Sequence, residues 1–178
     1  MVNFAVTLKS KIVIWFLILI FVNSCKKEEI STSGIVTINN ETGFGQTYYV
    51  YGFLFSEAKL VTTLNKPDPD ITVESDGTYL YFQATTLQNS FNKAGDYNDA
   101  AGAKEAFDKL TAVTVQQWVA LAERIAANQI WIIRTEAEYY AKIRIISTVN
   151  EFRDGHDYAE CTFEWVYQPD GSLTFPGK

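Results

Sequence analysis

Histidine and methionine each occur once in this chain, and cysteine twice. These scarcities exclude several chemistries. No cysteine and histidine cluster has metal-ligand spacing, and a nucleophile relayed through histidine would have only His156 to use. There is no glycine-rich phosphate cradle and no nucleophile-elbow pattern. Basic residues are also few: 15 Lys and Arg stand against 21 Asp and Glu, which argues against a nucleic-acid groove. The longest apolar run, Ile12 to Val22, falls well short of the ~20 residues that a membrane-spanning helix needs.

That short run is nevertheless the most informative stretch. Lys9 and Lys11 precede it, and Asn23-Ser24-Cys25 follows. This arrangement resembles the signal peptide and cleavage box of bacterial lipoproteins, which implies removal of residues 1–24 and lipid attachment at Cys25. Lys26-Lys27-Glu28-Glu29 behind it resembles the acidic tag that directs some Gram-negative lipoproteins to the cell surface. The expected location is therefore the outer membrane, lipid-anchored and surface-exposed. The net charge of −6 becomes −8 once Lys9 and Lys11 leave with the leader. With no polybasic patch for headgroups, the acyl anchor is the expected membrane contact.

Residues 25–33 read as a lipidated tether and residues 34–178 as a single domain. Ile35–Ile38, Thr47–Phe55, Leu60–Leu64, Ile71–Glu74 and Thr78–Ala84 are β-like, the last two joined by the hairpin signal Ser75-Asp76-Gly77. Pro67 and Pro69 force a loop at 65–70. The period then changes. Ala103, Ala106, Phe107 and Leu110 share one helical face between Asn98 and Leu110. A capping-box pattern, Thr114 to Gln117, opens a second predicted helix ending near Asn128, with Trp118 on its apolar stripe. The last third returns to strands at Ile130–Arg134, Tyr139–Ser147, Tyr158–Tyr167 and Leu173–Phe175, with a loop at Asn150–Asp157. The fold class expected is α+β: a sandwich-like antiparallel sheet domain with a two-helix segment at 98–127, preceded by a cleaved signal helix.

Cys161 alternates with Ala159, Phe163, Trp165 and Tyr167 on one strand face and reads as a small buried hydrophobe. With Cys25 taken by lipid it has no disulfide partner. Lys142 and Arg144 share a face of one strand, Glu160 and Glu164 a face of the next, so opposite charges are expected to meet on a solvated face. His156 lies in a polar turn between Asp154 and Asp157. The acid pairs Asp68/Asp70 and Asp96/Asp99 lack calcium-loop spacing, and no metal site is expected. Aromatics make up 15% of the chain, and ten tyrosines include the adjacent pairs Tyr48-Tyr49 and Tyr139-Tyr140, whose members face opposite ways along a strand. A flat ligand can stack on such residues.

Ile130–Thr135, Tyr140–Ile145 and Phe163–Ser172 together resemble the C-terminal part of HmuY-like haem-scavenging lipoproteins. The resemblance implies a surface-anchored, largely β protein that passes haem to an outer-membrane receptor, with iron held by paired histidine or methionine side chains. Without its leader this chain offers His156 alone, so one chain cannot supply such a pair. His156 with a tyrosine such as Tyr140, or haem shared by two chains, stays open. The resulting expectation is a non-catalytic surface binding lipoprotein whose ligand is haem-like, a glycan or a partner protein. The alternatives are an envelope interaction protein without a small-molecule site and, least favoured, an enzyme using loop carboxylates.

Overall fold

The computed structural model describes residues 30–44 and 48–176. The leader, Cys25 and the Lys26–Glu29 run lie outside the described residues. In chain order the strands are β1 (Ser33–Asn39), β2 (Thr42–Phe44), β3 (Tyr48–Leu54), β4 (Lys59–Thr62), β5 (Ile71–Ser75), β6 (Leu80–Ala84) and β7 (Phe91–Asp96). One helix follows among the described residues, α1 (Ala100–Lys109), and then β8 (Leu121–Glu123), β9 (Gln129–Arg134), β10 (Tyr140–Arg153) and β11 (His156–Gln168). β1-β11-β10-β9-β7 form one sheet and β2-β3-β5-β6-β8 the other, with β4 also pairing β3. The pairings are antiparallel.

The two sheets close on an aromatic core. Phe53 of β3 meets Trp165 of β11 at 5.2 Å between ring centroids and Phe163 at 6.0 Å, while Phe82 of β6 meets Phe163 at 5.9 Å. These offset and edge-on contacts are the favoured geometries for ring pairs. Cys161, Phe163 and Trp165 all face this core, as their alternation with Glu160, Thr162 and Glu164 requires.

β10 and β11 run on through the segment expected as a loop at 150–157. Asp154 (φ 52°) and Gly155 (φ 85°) alone turn the chain. A two-residue turn with both φ values positive matches the twist of its flanking strands, so pairing continues to Arg153 and His156.

The other face of the first sheet carries α1. Asp99 starts the helix, its carboxylate accepting from the Gly102 amide at 2.7 Å. Phe107 packs with Val113, Ile130, Ile132, Val166 and Phe175 in a second cluster. This overturns the solvated face expected for the strand charges. Arg144 does meet Glu164 at 2.9 Å, but Lys142 and Glu164 are buried because the helix covers them.

The second predicted helix is absent. Residues 114–120 run extended along the edge of β7, where Val119 and Phe91 exchange backbone hydrogen bonds at 2.8 and 3.1 Å. Asn92 Nδ2 donates to the Gln117 carbonyl at 3.1 Å, and Trp118 stacks on Tyr140 at 6.0 Å. The β7 edge offers unpaired backbone groups, and pairing them outweighs the local helical pattern. Arg124 and Asn128, both at positive φ, interrupt what would have been its last turns. Among the described residues the fold is therefore an antiparallel two-sheet arrangement with a single α-helix in place of the expected pair at 98–127.

Candidate binding cleft

At one end of the two sheets, β3 runs into a single 3₁₀ turn (Phe55–Glu57), β9 turns into β10, and β11 comes to its end. Between them opens a cleft of about 660 Å³ lined by Leu54, Ser56, the 66–70 loop, Thr86, the Thr135–Ala137 turn and Tyr167. This size falls within the range of small-molecule sites.

The loop with two prolines is fixed from beneath. The Asp70 amide donates to the Phe53 carbonyl at 2.9 Å, and its carboxylate Oδ2 accepts from the Phe55 amide at 2.9 Å. Gly52 of β3 lies under the loop so closely that a Cβ there would stand 2.6 Å from Pro69 Cβ. Lys66, beside the cis Lys66–Pro67 bond, is ion-paired with Asp68.

Asp70 is thus a half-buried carboxyl with a second acid, Glu136, within electrostatic reach. Burial pushes its pKa up to about 6, the Phe55 amide opposes the rise, and the Glu136 charge adds to it. Across the cleft, burial raises the Tyr167 phenol to about 12, with the Asp70 charge and then Tyr139 contributing. Thr135 is 5% exposed, and its hydroxyl has no hydrogen-bond partner among the described residues. Buried polar atoms are normally paired, so this hydroxyl, hidden within the cleft wall, is an unmet hydrogen-bonding group.

The residues singled out in the sequence lie elsewhere. Cys25 is outside the described residues. His156 is exposed at the hairpin turn, and Tyr140 is half-buried against Trp118 at the other end of β10. Thirteen strand steps separate Tyr140 from Arg153, about 40 Å, so His156 and Tyr140 cannot share one iron within a chain. The Cys161 thiol is fully buried and its pKa is pushed well up by burial, which keeps it protonated and unreactive. Of the acid pairs, Asp68 is engaged by Lys66, Asp96 by Lys93 at 3.0 Å, and Asp99 by the helix start. Thr135, Glu136 and Tyr167 carried no sequence signal as a site; Asp68 and Asp70 did, as a loop acid pair.

Among the described residues no group of three His, Cys, Asp or Glu side chains converges at metal-binding range, and no helix is long and apolar enough to cross a membrane. Set against protein-family models and curated proteins, the chain matches neither.

Proposed function

We propose that this chain is a surface-anchored, non-catalytic binding lipoprotein of the kind its HmuY-like stretches imply, held by lipid at Cys25. The observation that supports the binding role is the cleft of about 660 Å³ that Leu54, Asp70, Thr135 and Tyr167 line, a size suited to a small molecule. A non-catalytic role accords with the placement of the two residues best suited to nucleophilic chemistry: Cys161 is sealed in the core and His156 is exposed at the far end of β11. The test has two parts. In cells fed labelled palmitate, the wild-type chain should take up label and Cys25→Ser should not. Normal labelling and membrane retention of Cys25→Ser would sink the anchor. For the cleft, the full chain in detergent should show a saturable ligand-induced rise in melting temperature that Thr135→Val weakens.

A second reading, an envelope interaction protein without a small-molecule site, draws on Phe152, which is 75% exposed near the hairpin tip. It predicts that Phe152→Ser, and not Thr135→Val, changes co-purification with envelope proteins.

A further inference from the structure

We propose that the free edge of β1 is an acceptor for a single extended strand of a partner protein. The site shares no residue with the cleft, so the inference stands apart from the small-molecule reading. β1 is the outer strand of the first sheet. The Tyr167 amide donates to the Thr32 carbonyl at 2.7 Å, and the Asn40 amide to the Ala159 carbonyl at 3.0 Å. Bonded and non-bonded positions alternate along an antiparallel pair, so the even-numbered residues of β1 bond to β11. The amides and carbonyls of Ile35 and Thr37, in the middle of the strand, therefore point outward. Neither charge nor proline stands between Ile30 and Asn40, and β1 follows β11 without a bulge. Open edges are normally guarded by such devices or kept short. Other described strands are: residues 117–119 cover β7, and β10 beyond Arg144 has a bulge at Ile145/Ser147, then Glu151 and Arg153. β2, β4 and β8 have three, four and three residues.

On this side the second sheet runs one strand further than the first. β1 packs over β3 and β5, whereas β4 pairs with the opposite side of β3 from β5. Leu60 of β4 is in register with the core residue Phe53, and Thr62 with Tyr51, so these side chains face inward. Yet Leu60 is 45% and Tyr51 43% exposed. A groove of about 370 Å³ separates them from the β1 edge at Thr37 and Asn39. A strand paired to β1 would lie over Tyr51 and Leu60 and turn alternate side chains into that groove. Apolar side chains fit those alternate positions. Glu41 borders the groove and the chain carries −6, so the entering segment should be neutral or basic. A second copy is a poor occupant. Its β1 would bring its own second sheet beneath the joint, and the two β4 strands would collide where one strand fits.

The experiment titrates the full chain in detergent with acetyl-Lys-Val-Thr-Val-Thr-Val-Thr-amide and with the same peptide carrying proline for its central valine. The first should bind saturably and the second about tenfold more weakly, because proline removes a ladder donor. Ile35→Pro should weaken the first peptide about tenfold with the melting curve little changed, since the Ile35 amide serves no bond within the sheet. Leu60→Asp should weaken it about fivefold through a charge on the groove floor. Phe152→Ser should bind like wild type. If Ile35→Pro fails to fold, Leu60→Asp, which leaves every backbone group in place, decides. No saturable binding of the alternating peptide, or binding that survives the substitutions at both Ile35 and Leu60, overturns the inference. So does a dimer, seen by density-matched sedimentation, that Ile35→Pro dissolves, because it would give the edge to a second copy.

Discussion

The Lys142 ammonium donates to the Phe107 carbonyl at 2.6 Å while lying 4.5 Å above the ring of the same residue. It also reaches the Leu110 carbonyl at 2.8 Å, so a lysine from β10 closes the C-terminal end of α1. Helix ends leave carbonyls without partners and carry partial negative charge, and a buried cation satisfies both. Lys142→Met keeps the apolar stem and abandons two carbonyls beneath the helix. The expected loss is about 2–3 kcal/mol, or roughly 5–10 °C in melting temperature by circular dichroism. An unchanged melting curve would show that the helix is held by its apolar face alone.

Asp70 gives a pH dependence of definite sign. Its pKa is near 6 in the folded chain and near 3.8 when unfolded, so the folded state binds the proton more tightly. Between about pH 4 and pH 6 the native chain holds more protons, and this group's contribution to stability falls as pH rises. Above pH 6 the ionised carboxylate costs the fold about 2–3 kcal/mol. Asp70→Asn retains an oxygen for the Phe55 amide. It should be more stable than wild type at pH 7.5 and nearly equal to it at pH 4, as read from urea midpoints. The reverse order would mean that Asp70 has a cationic partner in solution.

Two glycines should respond to alanine in opposite directions. In α1, the nearest atom to a Cβ at Gly102 is the Asp99 carboxylate oxygen at 3.4 Å, an ordinary contact, so Gly102→Ala should add about 0.5 kcal/mol. At Gly52 the new methyl collides with Pro69 and the Ile71 backbone, and Gly52→Ala should lose about 1–3 kcal/mol. Because Pro69 and Ile71 flank Asp70, ligand binding at the cleft should fall with it. Calorimetric melting of the two variants side by side decides the matter.

Haemin offers a direct check on the family likeness. The two candidate ligands, His156 and Tyr140, are held apart by the length of β10, and a chain of net charge −6 disfavours the anionic propionates at low salt. Titration of the full chain should leave the visible spectrum without the sharp bands of a low-spin, six-coordinate haem. His156→Ala should change little. A tight complex of one haem per two chains, whose Soret band shifts on losing His156, would point to a site shared between two chains.

Period-2 alternation made the C-terminal strands legible, turn chemistry the Ser75-Asp76-Gly77 hairpin, and helical spacing the first helix, because each rests on neighbours in sequence. The segment 114–128 was not legible. Its helical spacing is real, but the β7 edge pairs with Val119, and a long-range partner leaves no mark on local periodicity. The covered charge face failed for the same reason: nothing in β10 shows that α1 lies over it. The cleft is a harder case still. Asp70, Thr135 and Tyr167 come from three separated stretches that meet only where the two sheets end.

The backbone amide of Tyr167 donates to the carbonyl of Thr32 at 2.7 Å, so β1 leaves the tether at the same end of the sheet that holds the cleft. From Cys25 to Thr32 the chain can reach about 25 Å at most. A lipid at Cys25 would therefore set the mouth of the cleft near the bilayer and carry the Phe152–His156 hairpin tip outward. Bulky solutes would meet the tip first. With that anchor in place, small molecules would enter the layer of up to about 25 Å between protein and membrane more readily than large ones, so depth beneath the domain would filter ligands before any hydrogen bond is formed.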